Sequence, residues 1–423
     1  MQKLRIGYYL SAASMGGMER HVLALIDHLA PEEFDVIVFC PASEGLAPFF
    51  TELQRRNARL HITGRQDLPP SGREHGYRQI WIKALGWLLR RLSVEESEEA
   101  AALIASQLGW MASLRGRLAR AKLDVIHFHA GRLVPLYWPL IAGRLARIPT
   151  RILTLHNAAR RRALLFASLE KLALRSTGSI IVPSEYVKDS LLSYRRVPPE
   201  KVAVIPHGLD LPECDAPRGR AGARRELKLP LEIPVVGIAG RLVYTKGADL
   251  LIRAAPRVRT RFPAVRFVLI GEGAEKNALR RLAEAESVSD AVVFTGYRSD
   301  ARQLLPAFDI LAAPSRDEGL SLSVLEAMGC GIPAVASRLG GIPSLLIDGV
   351  TGLLIPPDDF AALADALIRL LAEPQRADAM GRAARERART HFLQETMLAR
   401  TFALYRAPSR SSVKSQAAGE KLP

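Results

Sequence analysis

The chain has 423 residues, 48% of them apolar, enough to bury substantial cores and to form two or three globular domains rather than one. Its three cysteines, Cys40, Cys214 and Cys330, make an odd count without C-x-x-C spacing, which argues against a disulfide framework or a zinc site and for a reduced, cytoplasmic setting. The formal charge of +16 is uneven, with +11 of it in residues 1–208; no aromatic-interleaved or recognition-helix pattern accompanies it, so nucleic acid is not an expected partner.

The first apolar run, Leu4–Tyr9, stands directly before a Gly pair and lacks the h-region and cleavage site of a signal peptide. No later stretch supplies the roughly 18 uninterrupted apolar residues of a spanning helix. Further strand candidates in the first half are Asp35–Cys40, Val125–His129, Arg151–Leu155, Ser179–Val182 and Val202–Ile205. Helical patterns separate them, the signature of βα units building a parallel sheet.

Residues 63–122 depart from this alternation and read as an insertion. Within them YRQIWIKALGWLLRRL gathers Ile80, Trp81, Ala84, Leu85 and Leu88 on one face, ringed by Arg78, Lys83, Arg90 and Arg91. Such a helix over 77–92 either packs on the first sheet or lies in the interface of an anionic membrane. Near His207 to Arg225, Pro206, Pro212 and Pro217 with several Gly and Arg interrupt the periodicity and mark a domain boundary.

Strand candidates resume at Val235–Ala239, Val265–Ile270, Val292–Thr295, Ile310–Ala313, Ala334–Ser337 and Gly352–Ile355. Helical patterns over Phe360–Leu371 and Arg376–Tyr405 close the fold, and the polar tail from Pro408 has little to bury. The expected organisation is an α/β domain over 1–208, a second α/β domain over 209–384, a helix over 385–407, and a disordered tail over 408–423.

In VVGIAGRLVYTKG a strand ends in a Gly turn followed by Arg241 and Lys246. Loops at the carboxyl ends of parallel strands are where α/β sheets bind ligands, and two cations five positions apart there can converge on a diphosphate. In PSRDEGLSLSVLEAMG, Glu318 and Glu326 stand eight residues apart across a helix start, with the amides of Gly319, Leu320 and Ser321 between them. Helix N-terminal amides attract phosphate, so Glu318 can meet a sugar in front of the helix while Glu326 accepts from ribose hydroxyls.

With the Gly16–Gly17 pair, IPHGLD, LIGEGAEK and VVFTGY, these motifs resemble the retaining glycosyltransferases of family 4, which have the GT-B fold of two Rossmann-like domains facing across a cleft. The resemblance covers nearly the whole chain and implies that residues 1–208 are the acceptor-side domain, that 209–384 bind the nucleotide sugar, and that the helix over 385–407 returns to the first domain. It implies that Arg241 and Lys246 bind the donor diphosphate, that Glu326 holds the ribose, that Glu318 and Gly319–Ser321 lie by the transferred sugar, and that Gly16 and Gly17 face the phosphates. It further implies that His129 contacts the donor sugar and that His156 lies near the acceptor. Glu19 and Arg20, beside the Gly pair, are acceptor-side candidates that could equally serve the structure. His127, on the same strand face as His129, reads as a core residue. The sequence departs from the pattern at His207, where relatives often have Asn, and at Cys330, where small residues are usual.

The implied reaction moves a hexose-type sugar from a UDP- or GDP-linked donor to a glycan, lipid-linked or small-molecule acceptor, with Glu318, His129, Arg241 and Lys246 at the reacting centre. No cofactor is expected, and no metal, since cations and amides can hold the diphosphate and the chain has no D-x-D pair. The basic first domain suggests peripheral contact with the inner face of an anionic membrane. A sugar phosphorylase, a nucleotide-sugar epimerase and a non-catalytic glycan- or nucleotide-binding scaffold are the alternatives.

Overall fold

The structure is a computed structural model that describes residues 3–12, 15–41, 43–56, 58–62, 97–131, 136–159, 167–195, 197–211 and 219–407. The first sheet comprises β1 (Leu4–Leu10), β2 (Phe34–Cys40), β3 (Ala58–Ile62), β4 (Val125–Ala130), β5 (Thr150–Leu155), β6 (Ser179–Val182) and β7 (Val202–Val204). Its spatial order is β3-β2-β1-β4-β5-β6-β7, every pairing parallel.

The second sheet contains β8 (Val235–Ala239), β9 (Arg266–Ile270), β10 (Val292–Gly296), β11 (Ile310–Ala313), β12 (Ala334–Ser337) and β13 (Leu353–Ile355). They run parallel in the order β10-β9-β8-β11-β12-β13. In each sheet the order reverses at one point, between β1 and β4 and between β8 and β11. At such a switch point the loops diverge to opposite faces and leave a crevice at the carboxyl ends of the strands. Two sheets of this kind, helix-covered on both faces, make the GT-B fold.

Both faces of each sheet are buried, which is why the strands read as near-continuous apolar runs. On the first sheet Ile126, Phe128 and Leu153 pack beneath Leu114, Leu118 and Leu140 on one side. Ile6, Val36 and Val38 pack with Leu25 and Phe49 on the other.

Strand β3 is not anticipated by the sequence pattern. ARLHI is short and alternates apolar with polar residues instead of forming a continuous apolar run: as an edge strand with only β2 beside it, it packs Ala58 and Leu60 on the core and exposes Arg59, which pairs with Asp35, and His61. The crossover helix Ser97–Ala121 that leads into β4 buries Leu114 and Leu118 against the first sheet. Residues 97–122 therefore belong to the regular βα pattern rather than to an insertion. The amphipathic stretch 77–92 and the tail 408–423 lie outside the described residues.

The helical pattern over Arg376–Tyr405 resolves into two helices, Pro374–His391 and Gln394–Arg406. Ala384, Ala388 and Phe392 belong to the second domain's core, whereas Met397, Leu398 and Tyr405 pack with Ile6 and Tyr8 of the first. The crossing thus falls at Phe392–Leu393 rather than at 385. There Leu393 is extended and bridges Leu209 of the interdomain segment, with Leu209 N–H donating to Phe392 O at 2.8 Å and Gln394 N–H to Leu209 O at 3.1 Å. Gly208 permits this approach, since a Cβ on it would lie 2.3 Å from Gln394 Cα. Two chain crossings in contact form the hinge.

Candidate active site

The residues singled out by sequence collect at the two switch points. After β1 comes the Gly16–Gly17 loop, and His129 lies on β4; after β8 come Arg241 and Lys246, and after β11 comes Glu318. Gly17 begins helix Gly17–Asp27 opposite the start of helix Leu322–Gly329, where a Cβ on Gly17 would lie 2.6 Å from Leu322 Cδ1. Two helix N-termini, each a concentration of positive potential, therefore meet across the cleft.

Lys246 Nζ donates to Glu318 Oε1 at 2.5 Å, and Glu318 is buried. Glu326, also buried, accepts from Arg302 Nη2 at 3.1 Å and faces Arg20 of the other domain at 3.7 Å. Arg241 is exposed and reaches toward Gly16, where a Cβ would lie 3.8 Å from its Nε. Among these groups Arg20, Arg241, Lys246 and Arg302 supply cations, and Glu19, Glu318 and Glu326 supply anions.

Glu19 and Arg20 of the first domain sit against these second-domain groups. Glu19 is buried, and its carboxylate accepts from the Gly16 amide and its own; burial pushes it up to about 6, against those hydrogen bonds and the Arg241 charge, which lower it. That carboxylate caps the loop, satisfying amides at the helix start.

Gly319 lies directly on the first domain. A Cβ on it would fall 1.8 Å from His156 O, and Ser184 Oγ donates to Gly319 O at 2.7 Å. Leu320 is buried, and Ser321, at the start of its helix, holds φ +84°, a conformation L residues rarely adopt and one that concentrates at functional sites. Ser184 escaped the sequence reading because a Ser after a short strand reads as a helix cap, which it also is: it accepts from Val187 N–H at 3.4 Å.

Five of the nine histidines meet beneath this contact. His127 is held by Tyr405 Oη and Thr154 Oγ1, each at 2.7 Å, as a core residue would be. The others form a chain: His129 Nδ1 lies 3.4 Å from His156 Nε2, His156 Nδ1 3.4 Å from His207 Nε2, and His207 Nδ1 3.3 Å from His21 Nδ1. Burial pushes His127 down to about 3 and His207 to about 4. It also holds His21, His129 and His156 well below the ordinary imidazole range, with the neighbouring imidazoles as a second cause. His21 and its part in the chain were not legible in sequence, where it stands on a helix far from the other three.

Among the described residues no group of three or more His, Cys, Asp or Glu is arranged to hold a metal, and no helix is long and apolar enough to cross a membrane. Cys330 is partly buried against the second domain's core, as a packing residue.

The fold and the crevice define a two-domain GT-B protein. The family model described as Glycosyl transferases group 1 matches residues 220–387, and that described as Glycosyltransferase Family 4 matches residues 100–213. The D-inositol 3-phosphate glycosyltransferase of Mycobacteroides abscessus is 31% identical over 318 residues, 72% of this chain and 67% of that protein. The chain belongs to this glycosyltransferase family.

A GDP-mannose-dependent alpha-(1-6)-phosphatidylinositol monomannoside mannosyltransferase of Mycolicibacterium smegmatis is 39% identical over 208 residues, 46% of this chain and 54% of that protein. Matches to that relative and to two D-inositol 3-phosphate glycosyltransferases span only 54% to 66% of their lengths. Among solved structures, Anabaena HepE in complex with UDP and glucose superposes with a TM-score of 0.75 at 22% identity, covering 95% of this chain and 98% of that one.

Proposed function

We propose that this protein is a retaining hexosyltransferase that takes a sugar from a UDP- or GDP-linked donor and delivers it to a glycan, lipid-linked or small-molecule acceptor. One observation carries the reading: where the two domains face each other, Lys246 pairs with Glu318, Arg241 reaches the Gly16–Gly17 loop, and Glu326 faces Arg20. A relative whose name specifies GDP-mannose, and a structural neighbour that holds UDP, support a nucleotide-diphosphate donor.

Breaking the glycosyl phosphate bond builds negative charge on the leaving diphosphate, so the chief catalytic demand is positive potential fixed in place beforehand. Arg241, Lys246 and the two helix N-termini would meet it without a metal. Glu326 would exchange its Arg20 contact for ribose hydroxyls. Glu318 is engaged by Lys246 rather than free as a nucleophile, which favours a front-face route. The acceptor oxygen then bonds to the anomeric carbon on the face the phosphate leaves, and the acceptor proton passes to a phosphate oxygen.

An acceptor at the cytoplasmic face of an anionic membrane suits the basic first domain and the phosphatidylinositol-linked acceptor in one relative's name. Screening a panel of UDP- and GDP-sugars for hydrolysis and transfer, with the anomer of the product read by NMR, tests the assignment. Lys246→Ala should keep the fold and lose about 10² to 10³ in turnover. An inverted product, or parental rates in that variant, would overturn it.

A further inference from the structure

The chain of imidazoles has a property that neither its burial nor its place near the donor site explains. Each neutral imidazole carries one N–H and one lone pair. Three successive N···N contacts, His129–His156, His156–His207 and His207–His21, therefore point all in one sense or all in the other. The two free ends have opposite character: if one presents an N–H, the other presents a bare lone pair.

The ends differ in surroundings. His129 Nε2 is buried and has no partner among the described residues, whereas His21 is partly exposed. An N–H is satisfied by water at the wet end, and an orphaned buried N–H is the rarer outcome in folded proteins. The sense that follows runs from His129 Nδ1–H to His156 Nε2, from His156 Nδ1–H to His207 Nε2, and from His207 Nδ1–H to His21 Nδ1. His129 Nε2 is left as a buried acceptor near the carboxyl end of β4.

We infer that His207, borne on the interdomain hinge, is a positioning residue that fixes the tautomer of His129 through His156, so that His129 offers a lone pair to a ligand hydroxyl. The part played by the ligand rests on the donor-sugar reading above; the tautomer chain does not. His207 immediately precedes Gly208, which packs on Gln394, and the His156 carbonyl lies under Gly319. Domain closure and imidazole register are thus set by the same contacts.

The test uses the full chain with ¹⁵N-labelled histidine and no ligand, reading tautomers from two-bond nitrogen–proton correlations near neutral pH. His129, His156 and His207 should each show protonated Nδ1, the minority form for free imidazole; protonated Nε2 or imidazolium at His129 overturns the inference. His207→Leu should leave His156 and His129 tautomer-averaged, and His207→Asn, whose carbonyl can still accept from His156 Nδ1–H, should restore the parental pattern.

With a donor identified, the Leu variant should lose about five- to tenfold in kcat, the effect of one misaligned neutral hydrogen bond, with donor KM within about threefold. A parental spectrum in His207→Leu, or an altered spectrum with parental kcat, refutes the positioning role. Absence of transfer by the parent chain would count against the proposed reaction and leave the spectra to judge the chain.

Discussion

Lowering the pH brings protons to imidazoles that the fold keeps neutral, and the cost can be worked from their depressed values. In the unfolded chain a histidine titrates near about 6.5, whereas burial holds His127 down to about 3 and His207 to about 4. A group whose neutral form is favoured by folding contributes fully above the unfolded value and loses that contribution as pH falls toward the folded one. Between about pH 6.5 and about pH 4.5 each of these two should lose roughly 2 kcal/mol, about 4 together. His21, His129 and His156 shift in the same direction and add to the loss. Glu19 works the other way: raised to about 6, it is destabilising when charged at neutral pH and returns roughly 1–2 kcal/mol on protonation.

The net loss is a large share of a typical stability of about 5–15 kcal/mol. The first domain should therefore unfold, or the cleft open, at a pH where ordinary carboxylate pairs still hold. Urea unfolding followed by circular dichroism at a series of pH values measures it. Stability that stays flat between about pH 7 and about pH 5 would refute the buried neutral cluster, as would imidazolium signals from His127 near pH 6.

Gly319→Ala places a methyl group where the His156 carbonyl stands, so the domains cannot close as they do here. About a hundredfold loss of activity is expected, the cost of an ångström-scale misplacement, with the thermal midpoint of each domain little changed; an active, closed Gly319→Ala protein by small-angle scattering would contradict it. Vesicles containing phosphatidylserine should retain the full chain at low ionic strength and release it at high salt. No retention at low salt would remove the membrane face from the proposal.

Twelve of the thirteen described strands, the two-domain division and the loops that carry Arg241, Lys246 and Glu318 are legible because each is written locally. A strand buried on both faces must be an apolar run, and a loop that leaves it carries its own Gly, Arg or Glu. Strand β3 was not legible because it is covered on one face only, so its five residues alternate instead of forming an apolar run, and the division of the last helical pattern was not because Phe392 and Leu393 carry no breaker.

What the sequence determined by itself is therefore the inventory of chemistry: which cations, carboxylates and glycines follow which strands. What the tertiary structure decided is their pairing. Lys246 meets Glu318, and Arg20 faces Glu326 from the other domain. His21 and His207, 186 positions apart, come within 3.3 Å. Periodicity reports only which side of an element is buried, whereas such contacts depend on how two sheets and a hinge are oriented, and no local pattern encodes that.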